Sequence, residues 1–377
     1  MVDQQHHLTA IDVVVSNLAR AVLYPPDTGH LAVLTGNGSE PRTRYDNPAF
    51  GKPFRTLLGR LEMLGLVRWH QSRRRHEASS LAPTEAFGER VRAAGITPDD
   101  FGRIEGEEVI VLARIDVKRL GNERVRHRKP VDYVDTAETL DMRSEMRALN
   151  AFLAEADISF IDDRNGPIDP HDRHMRRNFV IDGEDPLQQR FDRSGRLYGG
   201  FWQNLKRARR ASIRIEGEPV SVLDYSAMFP RLAYAVAGVP PPVDDPYAIP
   251  GLEAHRRAVK LAMNTLLFDG HRHRKSWPEA DDPGGDMPEE WAVSRFRKAL
   301  LARHPALKDS FGIGLGHQLM NTESRIMIRL LMALKAKGLV ALPLHDGVLV
   351  AGSRGDEVGR MMRQVAKEIT GYDLPVA

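Results

Sequence analysis

The sequence predicts a mixed α+β fold built as more than one domain. Three observations carry that expectation. Apolar residues recur at helical spacing in separate segments, as at Ile11, Val14, Val15, Leu18 and Val22. Elsewhere, short apolar runs bracket turn residues: Leu339 to Leu344 and Val348 to Ala351 flank His345-Asp346-Gly347, and Asp-Gly is a strong hairpin signal. The 377 residues suffice for a real core and for two or three domains.

The first module is expected over residues 1–108. Its opening helix is followed by a second at Phe54, Leu57, Leu58, Leu61 and Leu64, ahead of Gly65. An apolar alternation at Leu66 to Trp69, a basic loop with Arg73, Arg74 and Arg75, the stretch Ser79 to Ala82 and a helix from about Pro83 complete it. That order suits a winged-helix-like module whose loop touches DNA, and equally a helical cap on the rest of the chain. Residues 109–190 read as a linker and a helical region. Val109 to Val117 is strand-like, a basic linker ends at Pro130, and a helix starts near Asp135, with Glu138 three residues on as a capping pair and an apolar face of Leu140, Met146, Leu149 and Leu153. Residues 191–377 hold the motifs that carry chemistry.

Composition narrows the function classes. Hydrophobic residues at 42% and charged residues at 28% are ordinary for a globular protein, which removes disordered and fibrous classes. The absence of cysteine removes disulfides, thiol catalysis and Cys-ligated metal sites. No run approaches the roughly 18 apolar residues of a membrane span. The N-terminus also lacks a signal-peptide pattern, so no membrane association and a cytoplasmic location are expected. The 54 basic residues barely outnumber the 51 acidic ones, but they cluster at Lys118 to Lys129, Arg173 to Arg177, Lys206 to Arg210 and His271 to Lys275. Such clusters attract phosphate backbones.

Asp224 closes the run Val220 to Leu223, broken by Ser221, and so sits at the end of an expected buried strand. Alone it reads as a turn or cap residue. Asp346 sits at the tip of the expected hairpin and alone reads as part of a plain turn. Arg256, Lys260, Asn264 and Phe268 recur every fourth residue and share one helix face, with Gly270 as the stop. Arg and Lys on such a face can hold β- and γ-phosphates, and Lys260 can protonate a leaving pyrophosphate. Alone, this is an amphipathic basic helix.

Taken in order, Ser194 to Gly200 (SGRLYGG), Leu223 to Leu232 (LDYSAMFPRL), Arg256 to Gly270 and Leu342 to Val350 (LPLHDGVLV) resemble the palm and fingers of family A DNA polymerases, the superfamily that includes single-subunit RNA polymerases. The resemblance implies a right-hand polymerase with an antiparallel-sheet palm and helical fingers and thumb. It implies template-directed DNA synthesis from dNTPs on a DNA primer-template, with two Mg²⁺ ions, replaceable by Mn²⁺, held by Asp224 and Asp346. Tyr225 joins the metal and substrate groups, His345 lies near the primer terminus, and Arg196 enters the minor groove there with help from Gln203 and Asn204. Arg256 and Lys260 take the triphosphate, beside Asn264 and Phe268.

The chain departs from the family pattern at several points. Phe229 stands where bacterial relatives carry Glu over the sugar, and its ring would exclude a ribose 2′-hydroxyl. Phe268 replaces Tyr, Asn264 an aromatic, Gly347 an acid, and Met320 a usual Gln, so Met320 receives no role. No proofreading exonuclease domain has room. The alternatives are an RNA polymerase or primase, and a non-catalytic DNA-binding protein on a polymerase scaffold.

Overall fold

The computed structural model describes residues 2–33, 43–46, 52–72, 78–103, 106–120, 123–181, 189–272, 275–277 and 287–377. Arg73, Arg74 and Arg75 of the basic loop lie outside the described residues, as do His273 and Arg274. The fold is mixed α+β with three sheets among the described residues. Two units form, Met1–Glu108 with Phe160–Arg173, and Val109–Ser159 with His174–Ala377.

The first unit runs α1 (Val2–Leu23), β1 (Leu31–Val33), α2 (Lys52–Met63), β2 (Val67–His70), β3 (Ser79–Pro83) and α3 (Glu85–Ala93). β3 lies between β1 and β2, antiparallel to both. Val14 and Leu18 of α1 meet Phe54, Leu58 and Leu61 of α2 and Leu81 of β3 in one core. The buried stripe of α1 is narrower than its apolar content: Ile11 and Val15 are exposed. Thr84 caps α3, accepting from Phe87 N and donating to Gly65 O at 2.7 Å. Segment 160–173 is tied into this unit by Arg20 on Asp169 (3.0 and 2.8 Å) and by Arg103 on Asp172 (3.0 Å).

The second unit begins with β4 (Ile110–Leu120), β5 (Glu123–Pro130), α4 (Ala137–Glu155) and β6 (Ile158–Phe160). β5 is a correction to the expected basic linker: its eight residues pair antiparallel with Ala113 to Leu120 of β4. It forms the edge of a four-stranded sheet ordered β5-β4-β7-β8, where β7 is Met175–Ile181 and β8 is Ser194–Gly199. Charge is tolerated at a sheet edge because that strand has no second neighbour to repel, and it blocks pairing with other chains. The region expected to be linker and helix therefore supplies three strands of this sheet, and α4 is its helix. The cap of α4 also differs from expectation. Thr136 and Thr139 form the capping box, while Asp135 pairs with Arg143 at 2.8 Å.

The remaining elements are α5 (Phe201–Asn204), β9 (Ile213–Ile215), β10 (Glu218–Asp224), α6 (Met228–Val236), α7 (Arg256–Phe268), α8 (Val293–Arg303), α9 (Gly316–Ala336), β11 (Ala341–Leu344), β12 (Gly347–Ala351) and α10 (Gly355–Thr370). A second sheet has the order β11-β12-β10-β9-β6. α9 buries Leu319, Ile326, Met327, Leu330 and Leu334 and packs on β8, α4, α6, α7 and α10. It thus links the two sheets of the unit. β10 is not the buried strand its apolar run predicts, since Val222 is 46% exposed and Asp224 is exposed. Residues 220, 222 and 224 share one face by the period of two, and that face is open at the Asp224 end. Among the described residues no helix is long and apolar enough to cross a membrane.

Candidate active site

β10 and β12 pair antiparallel with Asp224 opposite Gly347, so the hairpin tip that carries Asp346 is brought beside Asp224. Tyr225 N donates to Asp346 O at 3.0 Å, joining the two segments directly. On the other flank, Asp224 N donates to Ala377 O (3.0 Å) and Ala377 N donates to Asp224 O (2.9 Å). The main chain at Asp224 is therefore held from both sides. The side chain lies against Gly347, where an added Cβ would stand 2.9 Å from Asp224 Cγ and 2.6 Å from Leu223 O. Glycine next to the second Asp is a packing requirement of the first.

Backbone strain collects at these segments. Five non-glycine residues have positive φ among the described residues, and three of them flank candidate site residues: Ser194 (63°) before Arg196, Ala227 (50°) after Asp224, and His345 (55°) before Asp346. Such conformations cost energy and persist where surrounding structure imposes them, often at functional sites. In α6 the left-handed Ala227 starts the helix, and Pro230 is accommodated within its first turn.

The electrostatics also converge on the two carboxylates. Burial of the carboxylate against Gly347 and then the charge of Asp346 push the Asp224 carboxyl above its ordinary pKa, while Arg207, Arg210 and Lys260 act to lower it. The residue as a whole stays exposed, so this desolvation is partial. Two mutually repelling carboxylates with an open side form an oxygen donor set suited to Mg²⁺, which takes one or two protein carboxylates and completes its shell with water and phosphate. Among the described residues no group of three or more acidic or His side chains is arranged to hold a metal ion. His345 is kept below its usual pKa by burial and by Arg196; its Nδ1 is buried without a partner among the described residues, and its ring meets Tyr198 edge-on at 5.5 Å.

Arg196 reaches this centre from β8. Its Nε and Nη2 donate to the two carboxylate oxygens of Glu323 at 2.6 and 2.8 Å, and its guanidinium lies over the Phe229 ring at 5.4 Å. Phe229 meets Phe268 edge-on at 5.5 Å, and Phe268 meets His317 at 5.3 Å. Phe268 rests on Gly316, where a Cβ would stand 2.6 Å from Cδ1 of the ring. α6, α7 and α9 thus present one aromatic wall.

Other expected residues are placed less simply. Arg256 is held by Asp245 at 2.6 and 3.1 Å and lies over Tyr247 at 5.2 Å, whereas Lys260 is exposed. Asn264 Oδ1 is buried without a partner among the described residues. The Tyr225 phenol is withdrawn into the core, donating to Met362 O at 2.6 Å, so only its main chain borders the site. Gln203 is committed to the fold: it accepts from Gly199 N and donates to Leu197 O and Pro343 O. Asn204 is exposed. α7 ends at Asp269 in an extended conformation, ahead of Gly270.

Sequence reasoning missed Glu323, Asp245 and Tyr247. Glu323 was detectable as a lone acid on the apolar face of α9, whereas the other two depend on the fold of the 240–251 loop.

No family model and no curated protein matches this chain. Among solved structures, the chain is similar to one described as the POL domain of Pol1 from M. smegmatis in complex with DNA primer-template and dNTP, at 14% identity and a TM-score of 0.34. The alignment covers 64% of this chain and 50% of that one, so this chain spans about half its length.

Proposed function

We propose that the second unit is a template-directed DNA polymerase that adds deoxynucleotides to a primer 3′-hydroxyl. The observation that carries this reading is the junction of β10 with the β11–β12 hairpin, where Asp224 and Asp346 lie beside one another within the field of Arg207, Arg210 and Lys260. Two divalent cations about 3.5 to 4 Å apart would activate the hydroxyl and neutralise the leaving pyrophosphate. In this reading Asp224 and Asp346 hold the cations, and the strained main chain around them keeps both carboxylates on the open face. Lys260, exposed on α7, meets the triphosphate and can give a proton to the leaving group. Arg256 joins it once phosphate displaces Asp245, and an exposed ion pair of that kind holds by only about 0–1 kcal/mol.

The aromatic wall supports deoxynucleotide choice. Phe229 is pinned between Arg196 and Phe268, so its ring has little freedom to yield to a 2′-hydroxyl.

The test is extension of a labelled primer on a DNA template with Mg²⁺, comparing dNTPs, NTPs and reactions lacking primer, for wild type and for Asp224→Ala and Asp346→Ala. Templated dNTP addition abolished by each substitution is expected. Ribonucleotide or primer-free products would move the assignment to an RNA polymerase or primase. DNA binding without synthesis would mean a non-catalytic scaffold.

A further inference from the structure

Glu323 is the most deeply buried acid near the two candidate metal carboxylates, and nothing in the preceding reading requires it. Its side chain is 1% exposed, on the face of α9 that by helical spacing also carries the buried Leu319, Met320, Ile326 and Met327, and both oxygens are taken by Arg196. A buried ion pair gives little stability over an apolar pair of the same volume, because both charges lose water. Its placement is informative instead. The pair uses the Nε and Nη2 edge of the guanidinium, and Nη1 has no hydrogen bond among the described residues, although the side chain is 17% exposed beside Phe229.

The main chain under Arg196 is equally constrained. Gly195 O accepts from Ser324 Oγ and from Arg177 Nε, the latter at 3.0 Å, and Asn321 Nδ2 donates to Phe191 O at 3.0 Å. One turn of α9 therefore orients both the backbone and the side chain of Arg196.

We propose that Glu323 is a positioning residue that turns Arg196 from a phosphate-binding cation into a hydrogen-bond donor aimed at a neutral acceptor on the base edge of the primer terminus. The inference rests on the polymerase reading of the site. Its physical basis is charge balance. A phosphate approaching Arg196 also meets the Glu323 carboxylate, so the net attraction is small. A neutral base nitrogen or carbonyl is nearly indifferent to that charge and gains a short, directed bond from a guanidinium that cannot rotate away.

The test uses primers ending in guanine or in 3-deazaguanine, which lacks the minor-groove acceptor, with wild type, Glu323→Gln and Arg196→Met. Wild type should lose about 10- to 100-fold in kcat/KM on the deaza primer, the worth of one good base contact. Both variants should be slower on guanine and indifferent to the deaza change. Glu323→Gln should also bind primer-template with a steeper salt dependence, the slope of log affinity against log salt growing by about 0.9, because the unbalanced Arg196 now recruits a phosphate. A Glu323→Gln enzyme with the wild-type deaza penalty and salt slope would overturn the proposal.

Should Glu323→Gln fail to fold, Glu323→Asp retains the charge and draws the guanidinium back by one methylene. A reduced deaza penalty is then expected, and a wild-type penalty would overturn the proposal. Wild-type protein that extends no primer would refute the polymerase reading, while the salt-slope comparison would still test the Glu323–Arg196 pairing.

Discussion

Replacing Gly347 with alanine isolates the geometry of the site from its chemistry. Gly347 does not have positive φ, so alanine meets no backbone strain there. The obstacle is Asp224, because the new Cβ would lie 2.9 Å from its Cγ and 2.6 Å from Leu223 O, where ordinary contacts are 3.4–4 Å. The carboxylate and the end of β10 must retreat by about an ångström, and a misplacement of that size can cost about 10²-fold in rate. Overpacking of this kind also costs about 1–3 kcal/mol in stability. Single-turnover primer extension with saturating DNA is the assay, with DNA affinity by anisotropy and thermal melting in parallel. The expected result is a folded protein that binds DNA normally and extends primers about 10²-fold more slowly. A Gly347→Ala enzyme within twofold of the wild-type rate would refute the reasoning, since it would show that the position of Asp224 does not matter.

Three further outcomes follow from other contacts. Phe229→Val removes the ring held between Arg196 and Phe268. Discrimination between dNTPs and NTPs, read as the ratio of kcat/KM values, should fall by about 10- to 200-fold, the range for hydrophobic pocket changes. Unaltered discrimination would show that the ring does not contact the sugar. Ala377→Pro deletes the N–H that donates to Asp224 O at 2.9 Å. A net loss of about 1 kcal/mol in holding Asp224 predicts an extension rate lower by up to about tenfold with little change in melting temperature; full activity would remove this segment from the site.

The third concerns pH and His304, which is fully buried between Tyr234 and Pro246. The Pro246 carbonyl can only accept, so His304 Nε2 carries the proton and Nδ1 accepts from Tyr234. Burial above all, with Arg303 adding to it and the Pro246 bond and Asp244 opposing, keeps its pKa below the ordinary 6.5. The unfolded chain thus binds the proton more readily, so the stabilisation is present above pH 6.5 and is lost as pH falls through the folded-state value. Denaturant titrations between pH 8 and pH 5 should show this loss in wild type and less of it in His304→Phe, which itself costs about 1–3 kcal/mol at pH 8. Equal pH slopes would refute the assignment.

Local pattern was enough to find many of the elements and to single out candidate site residues. The every-fourth-residue row at Arg256 to Phe268 is a helix because side-chain spacing and backbone period coincide. The hairpin at Asp346 was legible because Asp-Gly between two apolar runs leaves the chain few other options. What local pattern could not supply is pairing between distant segments. Nothing in residues 118–130 says that this basic stretch is an edge strand, since its ladder is completed by β4. The apolar run before Asp224 predicted a buried strand because composition does not reveal which face a second element covers.

The same limit applies to the individual side chains. The sequence alone determined the order of the motifs, the two carboxylates and the helix that carries Arg256 and Lys260. Only tertiary structure decided that Gln203 and the Tyr225 phenol serve the fold, that Arg256 is held by Asp245, and that Arg196 is paired with Glu323. Hydrogen-bond partners are chosen by proximity in space, and each of these side chains has its partner far away in the chain or across a loop whose path the sequence does not encode locally.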